Sequence, residues 1–278
     1  MESRAALAAD ETAAARLRSE VALLKQARRD GRWPEAAVLP ALARAFQSAG
    51  LLCLLYRTRM LGTLESLLPL LGGGGGGGLP LESARWCASC IVSGLSRLHS
   101  HRILHRDLSL TRLGVSEAGY VVLVSCRYAK LLGTEDERTW TLCGSPEYAS
   151  PSMVKHGGHG LPADCWGLGV LLYRLLLGAY PFGSTADAGG ELKVFGRITE
   201  FERGGLAEAM GEADGCDEAS AALLDALLDP DASTRLGGNL ARDEDLGSHP
   251  WFAGVEWASI SAGTAPSPLL AELGARVE

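Results

Sequence analysis

The chain has 278 residues, 47% hydrophobic and 21% charged, enough apolar length to bury a sizeable core in one or two lobes. A net charge of −7 argues against nucleic acid or an anionic membrane surface as the main partner. Seven cysteines, an odd number with no ladder of spacings, fit a reduced cytoplasmic or nuclear setting rather than a disulfide scaffold. The start, Met1-Glu2-Ser3-Arg4-Ala5-Ala6, carries no basic-then-apolar signal, and no window reaches the ~18 uninterrupted apolar residues of a membrane span.

Leu17, Val21 and Leu24 recur at helical spacing, with Arg16, Glu20 and Lys25 between them, and predict one helix over 13–27. The residues ahead of Glu20 are Ala-rich and helix-prone, and offer neither a strand nor a glycine-rich loop. Residues 28–41, with Trp33-Pro34, read as a loop. Two apolar runs, 42–46 and 51–56, flank Ser48-Ala49-Gly50 and predict a short antiparallel pair. Seven consecutive glycines at 72–78 have no side chains to pack and read as a flexible surface insertion. Over 81–100, Ala84, Cys87, Ala88, Ile91, Leu95 and Leu98 recur every three or four residues and predict a core helix. Cys87 and Cys90 within it read as buried thiols, not as a metal or redox pair. Residues 164–173 are apolar on nearly every face, as a buried helix must be. Helical patterns at 223–228, 231–236 and 249–252 complete the chain.

The residues that carry chemistry concentrate in 104–151. This stretch opens with Leu104-His105-Arg106-Asp107-Leu108 and closes with Thr141-Leu142-Cys143-Gly144-Ser145-Pro146-Glu147-Tyr148-Ala149-Ser150-Pro151, with Ser125-Cys126-Arg127 between. These pieces resemble the catalytic loop and the activation-segment end of eukaryotic protein kinases, in their order and close to their usual separation. With Ala129-Lys130 and the runs 138–148 and 249–260, the resemblance is nearest to the AGC group, the cyclic-nucleotide-dependent Ser/Thr kinases in particular. It extends from about Glu20 to Ile260. It implies an α+β, protein-kinase-like two-lobed fold. A reduced small lobe over 1–60 would lack the glycine-rich-loop strands, a mainly helical large lobe over 61–262 would carry the glycine run, and 263–278 would form a C-terminal tail.

The resemblance also implies roles at the site. Asp107 matches the aspartate that accepts the hydroxyl proton in phosphoryl transfer. Ser109 stands where the family has a lysine near the transferred phosphate, Arg112 where it has a metal-binding asparagine, and Ser125 where it has the aspartate of Asp-Phe-Gly. Mg²⁺ takes hard anionic oxygen ligands, whereas a guanidinium is a fixed positive charge with no acceptor. Glu20 matches the helix glutamate that pairs with an active-site lysine, and that lysine is not found. Three acidic positions that select basic peptides hold Thr63, Thr111 and Arg174, so attraction to an arginine-rich substrate is weak or reversed. The expectation is a catalytically impaired pseudokinase, a binding or regulatory module for a protein partner, with no cofactor required. The alternative is an active Ser/Thr kinase using ATP and Mg²⁺, with a longer N-terminus or an unusual nucleotide site; the retained Asp107 and Thr141 speak for it.

Regulatory and structural positions follow from the same match. Thr141 corresponds to the phosphorylated activation-loop threonine, with Arg106 and Lys130 as its basic partners; a phosphate of about −1.5 to −2 charge could bridge them. Ser145 keeps a hydroxyl that could reach Asp107. Asp164 is expected to be a buried acceptor for the catalytic-loop backbone. Arg235 matches an arginine that pairs with the Glu of Ala-Pro-Glu, but here the motif is Ser150-Pro151-Ser152. Its guanidinium must therefore find carbonyls, water or another acid such as Glu147.

Overall fold

A small antiparallel sheet is built from β1 (Glu2–Ser3), β2 (Leu42–Ser48) and β3 (Leu51–Tyr56), in the order β1-β3-β2. The computed structural model describes residues 2–3, 18, 20–22, 25, 37–39, 42–48, 51–72, 77–206, 210, 216–238 and 244–274. The predicted hairpin is present, with β2 two residues longer than its apolar run. Ser48 pairs with Leu51, so the connection needs only two residues and the ladder continues through Gln47 and Ser48. The short β1, pairing Glu2 with Leu52, is a strand that the helix-prone sequence ahead of Glu20 did not announce. Arg18, residues 20–22 and Lys25 are helical, as the 3.6-residue pattern predicts, while Trp33-Pro34 lies outside the described residues.

Residues 37–39 tie this part to the rest of the chain. Val38 and Leu39 are buried in the main apolar core, and the Leu123 N–H donates to the Val38 carbonyl at 3.2 Å. A second sheet, order β4-β6-β7, joins β4 (Met60–Thr63) to the hairpin of β6 (Leu113–Ser116) and β7 (Val121–Leu123). The two-residue strands β5 (Ile103–Leu104) and β8 (Lys130–Leu131) pair with each other.

The helices are α1 (Leu64–Leu67), α2 (Leu81–Ser100), α3 (Pro151–Val154), α4 (Pro162–Leu177), α5 (Gly190–Glu200), α6 (Glu218–Leu227), α7 (Glu244–Ser248), α8 (Trp257–Ala262) and α9 (Pro268–Gly274). Helices α2 and α4 pack on each other at the centre. Helix α4 starts with Pro162 and stops at Gly178, whose left-handed φ of 75° lets its N–H close on the Arg174 carbonyl. Along α2, Cys87 and Cys90 are fully buried, and burial pushes the Cys90 thiol up to about 12, so these are core thiols as expected.

Two features depart from the sequence reading, and a third adds to it. Part of the glycine run, 73–76, lies outside the described residues, but Gly78 is packed tightly: a Cβ there would collide with the Leu176 carbonyl, and the next N–H, of Leu79, donates to Leu175 O. The run therefore ends in a position that only glycine fits. Residues 231–236 form turns instead of the predicted helix. Asp231 accepts from both the N–H and the hydroxyl of Ser233, at 2.8 and 2.7 Å, and this local bonding displaces the helical pattern. The segment beyond 263 docks on α2: Leu269 is fully buried, Tyr120 donates to the Ala265 carbonyl at 2.6 Å, and Ser83 donates to Glu272.

Candidate active site

The loop holding Asp107 hangs from one buried carboxylate. Asp164, in the first turn of α4, accepts the His105 N–H at Oδ2 and the Arg106 N–H at Oδ1, both at 2.8 Å. His99 Nε2, from α2, donates to the same Oδ2 at 2.9 Å. Burial alone would raise this carboxyl, but the His99 hydrogen bond and charge, with His105, hold it below the usual carboxylate range. The loop is strained: Arg106 has φ of 65°, uncommon for a side-chain-bearing residue. Gly144 closes over it, also at positive φ, where a Cβ would collide with the Arg106 carbonyl oxygen. His105 accepts the Asp107 N–H at Nδ1 (3.3 Å), so its Nε2 carries the proton and donates to the Ser125 carbonyl at 2.9 Å. That bond ties the Asp107 loop to the Ser125-Cys126-Arg127 segment.

Asp107 itself is only 3% exposed, and Arg112 Nε lies 3.3 Å from its Oδ2. The contact is ionic without hydrogen-bond alignment, because Oδ2 has no hydrogen-bond partner. Ser109 is buried and its hydroxyl bonds that of Thr111 at 3.0 Å. The Ser125 hydroxyl is reached by the Arg127 N–H at 3.4 Å, the limit of a hydrogen bond. Glu20, also 3% exposed, accepts the Cys126 N–H at 2.8 Å. Burial raises its carboxyl against the Cys126 bond and the charges of Arg127 and Arg112, while Asp107 adds to the rise. The Tyr56 hydroxyl, at the end of β3, is pushed up by burial and by Glu20.

Magnesium does not fit this donor set. Ser125 offers neutral oxygens, Arg112 offers a cation, and Asp107 already faces that cation. Among the described residues no cluster of three or more His, Cys, Asp or Glu side chains could hold a metal ion. Among the described residues Glu20 is met by a backbone N–H and two guanidinium charges.

In the unmodified chain the expected phosphate partners are engaged elsewhere. Thr141 is exposed, and Lys130 pairs with Glu137 at 3.1 Å. Arg106 donates from Nε to the Tyr128 carbonyl at 2.7 Å, leaving Nη1 buried without a partner. No hydrogen bond joins Ser145 to Asp107 among the described residues. Thr139 and His159 exchange two backbone hydrogen bonds at 2.9 Å, which pin the segment. The His159 ring is buried with Nε2 unpartnered; burial and then the Arg106 charge push its pKa down to about 4. The sequence reading missed His99, Glu137, Gly144 and His159. His99 carried one signal, a histidine at a position of α2 flanked by buried Leu95 and Leu98. Of the positions where the resemblance places substrate-selecting acids, Thr63 caps α1 and Arg174 donates to Gly178 and stacks over Tyr180 at 5.4 Å.

The family model described as "Protein kinase domain" matches residues 8–252. Relatives include the cAMP-dependent protein kinase catalytic subunit PRKX of Mus musculus, 34% identical over 67% of this chain and 48% of its own length. The cAMP-dependent protein kinase catalytic subunit 3 of Drosophila melanogaster is 32% identical over 69% of this chain and 30% of its own. The cGMP-dependent protein kinase 2 of Homo sapiens is 31% identical over 69% of this chain and 24% of its own. The matched region thus spans about half, or less, of each relative. On the family match and these relatives, the chain belongs to the protein kinase family, beside the cyclic-nucleotide-dependent members of its AGC group.

Proposed function

We propose that this kinase domain is a pseudokinase, a catalytically impaired module that binds or regulates a protein partner in the cytoplasm or nucleus. The observation that carries the reading is the Arg112 guanidinium 3.3 Å from Asp107. A fixed positive charge stands beside the acid that would otherwise face metal and acceptor hydroxyl. Ser109 and Ser125 add no charge of either sign. Losing one pre-organised charged group at a phosphoryl-transfer site costs several kcal/mol. Such losses do not add, yet the substitutions at Ser109, Arg112 and Ser125 together bring the rate near background. ATP and Mg²⁺ are accordingly not required. Thr63, Thr111 and Arg174 remove the acidic character a basic peptide would need, so the partner is not an arginine-rich substrate segment.

A second reading, an active Ser/Thr kinase, is favoured by one feature. Asp107 is held on an ordered loop by Asp164, with a buried Oδ2 free of hydrogen bonds. The deciding experiment is phosphotransfer from ATP with Mg²⁺ to a broad peptide and protein panel, using Asp107→Asn as the control. We expect no transfer above that control. Transfer abolished by Asp107→Asn establishes the second reading.

A further inference from the structure

We infer that Arg112 is a built-in counter-ion, holding the place beside Asp107 that a divalent cation would otherwise take, so that the cleft balances its own charge without a ligand. The inference rests on the pseudokinase reading and deepens it by naming what replaced the metal. Two acidic side chains, Asp107 and Glu20, are buried near Arg112, each 3% exposed, and each feels its charge. Two buried carboxylates in one site are costly unless cations or donors meet them. Here each charge feels the others. The Glu20 carboxyl responds to Arg127, Arg112 and Asp107, and it is tied to the catalytic side by the Cys126 N–H at 2.8 Å. Arg127 lies over the Tyr128 ring at 5.2 Å, which fixes its stem beside the same segment.

Arg112 is aimed by its backbone. It ends the short 3-10 turn Leu110–Arg112, its N–H donates to the Ser109 carbonyl at 2.9 Å, and its carbonyl accepts the Val124 N–H at 3.2 Å. Both halves of its peptide environment are thus anchored, one on the catalytic loop and one directly before Ser125. The side chain is 37% exposed and reaches Asp107. A guanidinium does not lose its proton in a protein, so this charge is permanent. A divalent cation entering beside Asp107 would meet that charge at close range in a poorly solvated site, and repulsion excludes it. Removing the guanidinium leaves a buried carboxylate with one open oxygen, which a divalent cation can then satisfy.

The test is metal rescue, read by thermal unfolding of the full chain in metal-free buffer and with millimolar Mn²⁺. Arg112→Ala should lower the melting temperature by several degrees without metal, and Mn²⁺ should restore about 3 °C of it. The wild type and Arg112→Lys, which both keep a cation there, should not respond. Adding Asp107→Asn to Arg112→Ala should remove the Mn²⁺ response. If Arg112→Ala matches the wild type without metal, or if Mn²⁺ stabilises the wild type and Asp107→Asn abolishes that gain, the inference is overturned. Should Arg112→Ala fail to fold, Arg112→Gln serves, and Mn²⁺ binding to the wild type followed by electron paramagnetic resonance decides: binding that Asp107→Asn removes overturns the inference, and its absence upholds it. A wild type that binds Mn²⁺ at Asp107 but transfers no phosphate sinks the counter-ion and leaves the pseudokinase reading standing. Phosphotransfer with Mg²⁺ sinks both.

Discussion

The Glu147 carboxylate is committed to Thr185, whose backbone N–H and hydroxyl reach the same Oε1 at 2.9 and 2.5 Å. It is therefore not the partner of Arg235. Arg235 instead donates to three carbonyls, of Asp229 and Pro162 at 2.8 Å and of Pro230 at 3.2 Å, and lies 5.1 Å from the Trp166 ring centroid. A planar fork suits three diverging carbonyls and an aromatic face at once. Burial lowers its pKa to about 10, which leaves it charged at neutral pH. Arg235→Lys keeps the charge but not the fork, and should cost about 1–3 kcal/mol. Urea unfolding should show a lower midpoint at unchanged slope; an unshifted midpoint would mean that the carbonyl set contributes nothing a lysine cannot supply.

His159 should make stability depend on pH in one direction. Its ring is buried and neutral, with a pKa pushed down to about 4 by burial and by the charges of Arg106, Lys130 and Arg138, against the opposing charge of Asp164. Unfolded, the ring titrates near 6.5. Between those values the unfolded chain binds the extra proton, so the stability tied to a neutral His159 is complete above pH 6.5 and is lost as pH falls toward 4. The loss by roughly pH 5 should approach about 2 kcal/mol. His159→Asn keeps the backbone bonds to Thr139 and should flatten the stability profile across that window. Denaturation of both proteins at several pH values measures this, and parallel profiles would rule it out.

Much of the architecture was legible because the large helices declare themselves by period. Leu95 and Leu98 of α2 and Leu168, Leu171 and Leu172 of α4 repeat at helical intervals and are all buried. Asp107, Arg112 and Ser125 could be named before their geometry was known only because the resemblance to kinase motifs placed them; composition and spacing alone would not have done so. What pattern reasoning could not supply was who meets whom. Nothing local says that Arg112 turns onto Asp107, that Glu137 holds Lys130, or that Thr185 claims Glu147 from 38 residues away. Gly78 shows the same limit from the other side. As one of seven identical residues it carried no positional signal, and only its approach to Leu176 distinguishes it from a linker.

Phosphorylation of Thr141 should order the activation segment without switching on catalysis. In the unmodified chain Lys130 is held by Glu137, a pair in which both side chains are about one-third exposed and which is therefore weak. Arg106 keeps a buried Nη1 with no partner, a donor waiting for an acceptor. A phosphate of about −1.5 to −2 charge outcompetes one carboxylate for Lys130 and offers three acceptor oxygens, so charge-assisted bonds to Arg106 and Lys130 would hold residues 133–148 against the catalytic loop. Limited proteolysis of that segment should slow on phosphorylation, and Arg106→Gln should remove most of the protection. None of these contacts moves Arg112 from Asp107 or gives Ser125 a charge, so transfer from ATP should stay at the level of Asp107→Asn in both forms. Unchanged cleavage would show that the phosphate does not reach the two cations. Protection accompanied by transfer that Asp107→Asn abolishes would show that the segment, and not the Arg112 contact, sets the activity of this site.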